Sequence, residues 1–458
     1  MQLRNYTFFH TRLFFKPTLN MDNSTQTITA PVAEASRIKL IDALRGVALL
    51  GILLMNIPGF SMPDYSSEVY RNDPTNINFW VSKIISVVFE GKMRAMFSMI
   101  FGAGILLFIS KKEGTSAHFL FYRRMFWLVL FGLIHAHLVL WIGDILYLYG
   151  VCGMIVYLFR NVNPKYLVLA IPLVTISDFA MNTLFYQELR GKRIAYVDAT
   201  KAQSEHKTLT DAQTKALTTW REVEKTMIPN REDAKENTKK MKSDYTTVAS
   251  YLRRLAWDGQ TKYMLYEIWD AIALMLLGFA LYKWGFLTGN WSNSNYRKVM
   301  LIGYGTGLPL VIYSSYYGFL NFSTLEANLA RMERVPINWI DFIYPFQRIL
   351  LVMAHASALI LLYKSGIIQG LFKRLEAVGQ MAFTNYIMHS IICTLFFFGY
   401  GLNYFAEFEF YQIYYLAFAI WILQLIISPI WLQYFYFGPL EWLWRSLTYW
   451  KVQPFKRV

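Results

Sequence analysis

Along most of the chain, apolar positions come in unbroken runs of about 20 residues rather than in alternation with polar ones. Continuous runs of this length suit helices crossing a roughly 30 Å hydrocarbon layer, whereas a membrane barrel would need a period of two. They predict spans near residues 40–58, 94–110, 123–142, 144–160, 166–187, 264–284, 299–320, 342–363, 381–400 and 413–436. Segment 79–92 is either an interfacial helix or the start of a longer second span. The predicted fold is therefore all-α, a polytopic transmembrane helical bundle of about ten spans.

The polar stretches divide the chain. Residues 37–187 hold spans one to five and residues 263–458 hold spans six to ten. Between them, 188–262 is the one long hydrophilic insert, rich in Lys, Glu, Asp, Thr and Ala, which predicts exposed helix with scattered ion pairs. Span parity puts this insert outside. Residues 1–36 read as a flexible polar segment without a secretory layout, with Met21 as an alternative start.

Composition supports the same class: of 458 residues, 55% are hydrophobic and only 16% charged, too apolar for a soluble enzyme of this length. The net charge of +15 has a topological reading. Lys111, Lys112, Arg123 and Arg124 follow span two, Arg160 and Lys165 span four, Lys283, Arg297 and Lys298 span six, and Lys364, Lys373 and Arg374 span eight. Every second connection is basic, so both termini are expected in the cytoplasm. This asymmetry accounts for the charge, and no nucleic-acid partner is expected. Cys152 and Cys393 fall within apolar spans and suggest packing; neither paired-cysteine nor His-rich metal spacing occurs, so no metal is expected.

Ionisable groups at membrane depth cost at least about 2.5 to 3.5 kcal/mol each and point to candidate chemistry. In "IDALRGVALLGILLMNI", Arg45 and Asn56 lie eleven residues apart, about 16 Å along one helical face. They read either as a polar track or as a snorkelling arginine beside Asp42 plus a helix-gluing amide. In "FEGKMRAMFSMIFGAG", Glu90 and Arg94 are spaced to pair on one helical face while Lys92 points elsewhere; a self-neutralised pair and an anion site both fit. In "GLIHAHLVLWIGDIL", His135 and His137 lie about 200° apart around a helix, so at most one faces an interior site. A buried His is a proton carrier or general base, or a structural hydrogen-bonding group. Asp144 suits a helix N-cap and, if close, would orient His135. Asp178, Asp270, Arg348, His355, Asn385 and His389 complete the set. Most fall in the external half, which predicts a cavity opening outward with Arg45 nearer the cytoplasm.

The blocks "RIKLIDALRGVALLGILLMNIPGF", "FEGKMRAMFSMIFGAG", "GLIHAHLVLWIGDIL", "AVGQMAFTNYIMHSIICTLFFFGYG" and "FGPLEWLWRSLTYWK" resemble, in order, the signature blocks of the bacterial YeiB family, whose C-terminal half is a domain of unknown function. The resemblance runs from about residue 37 to the end and implies a multi-pass protein of the bacterial cytoplasmic (inner) membrane. Its opening block is similar to that of transmembrane acyltransferases such as heparan-α-glucosaminide N-acetyltransferase. Envelope-sugar acyltransferases carry histidine where this chain has Asn56, and the lysosomal enzyme's histidine falls at Ser67. Either His135 takes over the base role or the acyl-transfer chemistry is absent.

Two functions follow as expectations. In the first, cytoplasmic acyl-CoA held near Arg45 donates an acyl group to an external hydroxyl or amine acceptor. His135 acts as base, Asp144 fixes its tautomer, and Asn56 with Arg94 or Lys92 stabilises the oxyanion. The alternative is a transporter of a small anionic or amphipathic solute through Arg348, Arg94 and protonatable Asp270 or Asp178, with Glu90 and Lys92 as further substrate-binding candidates. Expected partners are the lipid bilayer and the small-molecule acceptor or solute, with homodimerisation left open.

Overall fold

A computed structural model describes residues 37–63, 73–110, 115–227, 231–322 and 324–457; the N-terminal polar segment 1–36 and Ser67 lie outside them. Eight helices are long and apolar enough to cross a membrane, and two shorter apolar helices, Leu146–Phe159 and Ala382–Phe397, fall where the fourth and ninth spans are predicted. The protein is thus an all-α polytopic bundle.

In chain order the helices are α1 (Lys39–Ser61), α2 (Ile77–Ile84), α3 (Lys92–Ile109), α4 (Thr115–His137), α5 (Leu146–Val156) and α6 (Pro164–Ser204). The insert then gives α7 (Asp211–Met227), α8 (Arg231–Met241) and α9 (Tyr245–Thr261). The remainder are α10 (Met264–Lys283), α11 (Asn293–Phe322), α12 (Leu325–Arg334), α13 (Trp339–Ser365), α14 (Gln369–Gln380), α15 (Ala382–Phe397), α16 (Ile413–Tyr434) and α17 (Pro439–Tyr449).

Apart from Asp42, Arg45 and Asn56, helix α1 is apolar around its circumference, which is the pattern of a helix surrounded by other helices. It packs against α3, α14, α15 and α16, so the two membrane halves interlock. By contrast, α6 and α11 leave Leu169, Leu173, Ile176, Leu301, Ile302 and Ile312 exposed around the outside, the pattern of surface that meets lipid.

Several boundaries differ from the sequence reading. The second span begins earlier, as a run from Ile77 to Ile109. It passes through a π-helical turn at Ile85–Phe89 and a break at Gly91, whose φ is +70°. The third span stops at His137 instead of 142, because Leu140 takes a left-handed conformation (φ +64°) and the apolar run folds into a turn. The fifth continues without interruption past residue 187 to Ser204, carrying its helix into the insert. The insert is helical, with ion pairs Lys192–Glu188, Lys240–Glu236 and Lys262–Asp258 at the predicted spacing. It folds back onto the bundle. Arg253 Nε donates to the His137 carbonyl (2.7 Å), Tyr245 Oη to the Leu138 carbonyl (2.8 Å) and Gly399 N–H to the Met241 carbonyl (2.8 Å), so α9 covers the far end of α4.

Helices α14 and α15 are one helix broken at Met381 (φ −103°, ψ 28°). The break is held by two contacts. Gly379 lies so close to α1 that an added Cβ would run into the Asp42 carbonyl. Glu441, from α17, accepts the freed N–H groups of Phe383 (2.7 Å) and Thr384 (3.1 Å), serving as a cap from another helix. This contact brings the last two sequence blocks together.

Candidate functional site

The 138–145 turn returns Asp144 to the helix it has just left. Its Oδ1 meets His135 Nδ1 at 2.7 Å, and its Oδ2 accepts the Tyr147 N–H at 2.8 Å, so the carboxylate also caps the start of α5. The approach requires Gly132, where a Cβ would collide with the Tyr147 backbone and the Asp144 carboxylate. On its other side, His135 Nε2 lies 2.8 Å from the Ser390 hydroxyl of α15. His135 and Ser390 are 0% and 1% exposed, so this is a dry aspartate–histidine–serine chain between α4, α5 and α15. His137 faces the other way and bonds Gln260 of α9 (3.0 Å).

Beneath this chain runs a cavity of about 230 Å³. A dry 150 Å³ void already holds a benzene. Its walls are apolar, including Phe101, Ile105, Met125, Leu128 and Phe383; its deep end is closed by Ile145, Leu146, Tyr149 and Tyr386. The Tyr386 ring lies 5.0 Å from that of His135, so one aromatic side chain separates cavity from buried chain. Along α3 the lining extends from Phe108 to Phe97, eleven residues or about 16 Å.

The mouth is basic: Arg37, Arg45, Arg124 and Arg445 surround it. Two of these have partners, Arg37 with Gln380 (2.7 Å) and Arg45 with Asp42 (2.6 Å) and the Gly379 carbonyl (3.3 Å). The other two make no side-chain hydrogen bond or salt bridge among the described residues and lie over aromatic faces. Arg124 lies 3.6 Å from the Trp444 ring centroid and Arg445 4.4 Å from that of Phe437. Burial and neighbouring Arg37 pull the Arg445 guanidinium down to about 10, so it keeps its charge at neutral pH. Half-buried guanidiniums without a hydrogen-bonded carboxylate, beside a hollow, have the chemistry to receive an anion.

The cavity therefore opens at the basic, Arg45 end, opposite to the outward opening expected from the sequence. The charges expected in the external half do not line this cavity, and several of them neutralise one another. Arg94 (2.9 Å) and Arg348 (3.0 Å) both bind Asp270, while Glu267 lies 3.9 Å from Arg94. Glu90 does not pair with Arg94, because the break at Gly91 destroys the helical spacing; it accepts the Tyr344 hydroxyl (2.8 Å). Lys92, only 1% exposed, donates to the Ser86 carbonyl (2.8 Å) and lies 3.9 Å from Glu90, so contrary to the helical spacing it does not point away from that carboxylate. Asp178 bonds Asn182 of its own helix. Asn56 is half-buried on α1, contributes nothing to the cavity and has no hydrogen-bond partner among the described residues. The structure thus joins His135 to Asp144 and places Arg45 at the mouth, but it brings neither Asn56, Lys92 nor Arg94 to the histidine.

His389 and Asn385 form a separate polar seam to α16 through Gln424 (2.9 Å) and Ser428 (3.1 Å). His355 reaches the Val88 carbonyl. Cys152 and Cys393 are buried and unpaired, and among the described residues no three His, Cys, Asp or Glu side chains could hold a metal. The sequence reading missed Ser390, Tyr386 and the unpaired state of Arg124 and Arg445. Ser390 is one hydroxyl inside an apolar run, 255 positions from its partner.

A family described as a protein of unknown function (DUF418) matches residues 281–451. Uncharacterized protein YxaH of Bacillus subtilis (strain 168) is 26% identical over 437 residues, spanning 93% of this chain and 97% of its own. Uncharacterized protein YeiB of Escherichia coli (strain K12) is 28% identical over 414 residues, spanning 89% and 95%. An uncharacterized 39.9 kDa protein in the amylase 3′ region of Bacillus acidopullulyticus is 25% identical over 421 residues, spanning 92% and 96%. No solved structure matches.

Proposed function

We infer that the chain belongs to the YeiB family, and we propose that it is an acyltransferase-like enzyme of the bacterial inner membrane. It takes an acyl group from cytoplasmic acyl-CoA and passes it to a hydroxyl or amine acceptor reached from the other side. The observation that carries this reading is the cavity itself: an apolar hollow with unpaired arginines at its mouth and a histidine–aspartate pair behind its floor.

The dimensions suit such a donor. Arg124 and His135 are eleven residues apart on α4, about 16 Å along the axis. A pantetheine arm is about as long as four to five extended residues, roughly 15 Å. Phosphates held by Arg124 and Arg445 would place the thioester carbonyl near the level of His135. The base is then His135 Nε2, because the Asp144 carboxylate fixes the proton on Nδ1 and stabilises the imidazolium that forms. Exclusion of water by the apolar walls protects the thioester from hydrolysis.

The transporter reading needs charges free to receive a solute. Arg94 and Arg348 are both engaged by Asp270, so the external cluster favours a structural role.

The test is binding of CoA to the purified protein in detergent. Arg124→Gln and Arg445→Gln are each expected to raise the Kd about tenfold, since a charge-assisted phosphate contact contributes about 1.5 kcal/mol. An affinity in both variants unchanged from that of the unmodified protein, or no CoA binding by the unmodified protein, would remove the donor site.

A further inference from the structure

Both ring nitrogens of His135 are already engaged, Nδ1 by Asp144 Oδ1 at 2.7 Å and Nε2 by Ser390 Oγ at 2.8 Å. The carboxylate can only accept, so Nδ1 carries the proton and the Nε2 lone pair receives the Ser390 hydroxyl. The hydroxyl that His135 is placed to deprotonate is therefore that of Ser390. An acceptor would have to displace this serine before it could use the base.

We infer that Ser390 is a nucleophile that carries the acyl group as an ester between donor and acceptor. The inference rests on the acyl-thioester reading above and adds a covalent intermediate to it. In the first half-reaction Ser390 Oγ attacks the thioester carbonyl carbon as its proton passes to His135 Nε2, forming the Oγ–C bond. Collapse breaks the C–S bond, the leaving thiolate takes the proton from Nε2, and free thiol departs. In the second half-reaction the acceptor hydroxyl or amine gives its proton to Nε2 and attacks the ester carbonyl. The Oγ–C bond then breaks and Ser390 Oγ recovers the proton. No metal, oxidant or reductant is consumed.

The route to Ser390 passes Tyr386, one helical turn earlier on the same face of α15 and part of the cavity floor. Its hydroxyl is weakly held, accepting the Ile145 N–H at 3.3 Å and donating to the Gly143 carbonyl at 3.4 Å. Rotation of this side chain opens the cavity towards Ser390 and frees the Ile145 N–H. In the same turn the buried Trp141 Nε1 faces the same Tyr386 hydroxyl without forming a hydrogen bond of ordinary geometry, and rotation of the tyrosine frees it as well. These two donors are available to the oxyanion that forms when Ser390 attacks.

The experiment incubates the purified full-length protein with acetyl-CoA without acceptor, quenches in acid and follows two readouts. These are thiol release in the first turnover and the mass of the peptide containing residues 382–397. The expected result is a burst approaching one thiol per chain with an acetyl adduct on Ser390. Ser390→Ala should lose the adduct and slow thiol release about 10³-fold while still binding CoA. The near-isosteric Ser390→Cys should trap a thioester at the same position. Thiol release without an adduct, retained within a few-fold in Ser390→Ala, would overturn the nucleophile while leaving the acyltransferase reading intact. Failure of the unmodified protein to bind CoA would overturn both.

Discussion

His135→Gln is expected to lower acyl transfer about 10³-fold while leaving CoA affinity within about twofold of the unmodified protein. The separation follows from the layout. CoA phosphates would bind at Arg124 and Arg445, whereas His135 lies behind Tyr386 at the other end of the hollow. Removing the imidazole takes away the proton acceptor without touching the anion site. The glutamine can still donate one amide hydrogen to Asp144, whose second oxygen keeps the Tyr147 N–H (2.8 Å). Folding loss is thereby limited at a site where an unpartnered carboxylate would cost several kcal/mol. The check is thiol release together with CoA titration on the same preparation. Equal losses in binding and turnover would indicate a distorted cavity instead of a missing base.

The largest stability effect is expected at Asp270→Asn. Asp270 is the shared partner of Arg94 and Arg348, and the Arg348 side chain is only 3% exposed. Neutralising the carboxylate leaves a buried guanidinium unpaired, which costs about 3 to 5 kcal/mol. Loss of folded protein in detergent is the expected result. Adding Arg348→Gln should restore most of the stability, because the remaining Arg94 is 36% exposed and lies 3.9 Å from Glu267. The double variant should also retain thiol release, since none of these groups lines the cavity. Thermal unfolding measures the first claim and the thiol assay the second; a stable but inactive double variant would return Arg348 to the functional site.

Much of this architecture was legible in the apolar runs, since length and continuity fix where a helix can cross a membrane. The ten runs correspond to the long and short apolar helices, and the insert has the helical ion pairs its composition implied. Boundaries were less legible where one backbone angle decides them. "HLVLWIGD" is apolar throughout, yet the left-handed Leu140 ends α4 and carries Asp144 back to His135. Spacing alone paired Glu90 with Arg94, but it could not reveal that Gly91 breaks their register or that Asp270, 176 positions away, would claim the arginine. Ser390 had no local signal, because its role comes from contact with a remote helix. Arg124 and Arg445 were visible only as basic loop charges. Their unpaired state is a tertiary fact.

The most direct measurement is photocrosslinking with a short acyl-CoA bearing a diazirine in the acyl group, followed by peptide mapping. The account predicts labelling at the deep end of the hollow, at Leu146, Tyr149 or Tyr386, suppressed by excess unlabelled CoA. Labelling confined to lipid-facing residues such as Leu301 and Ile312 of α11, unchanged by CoA, would contradict it.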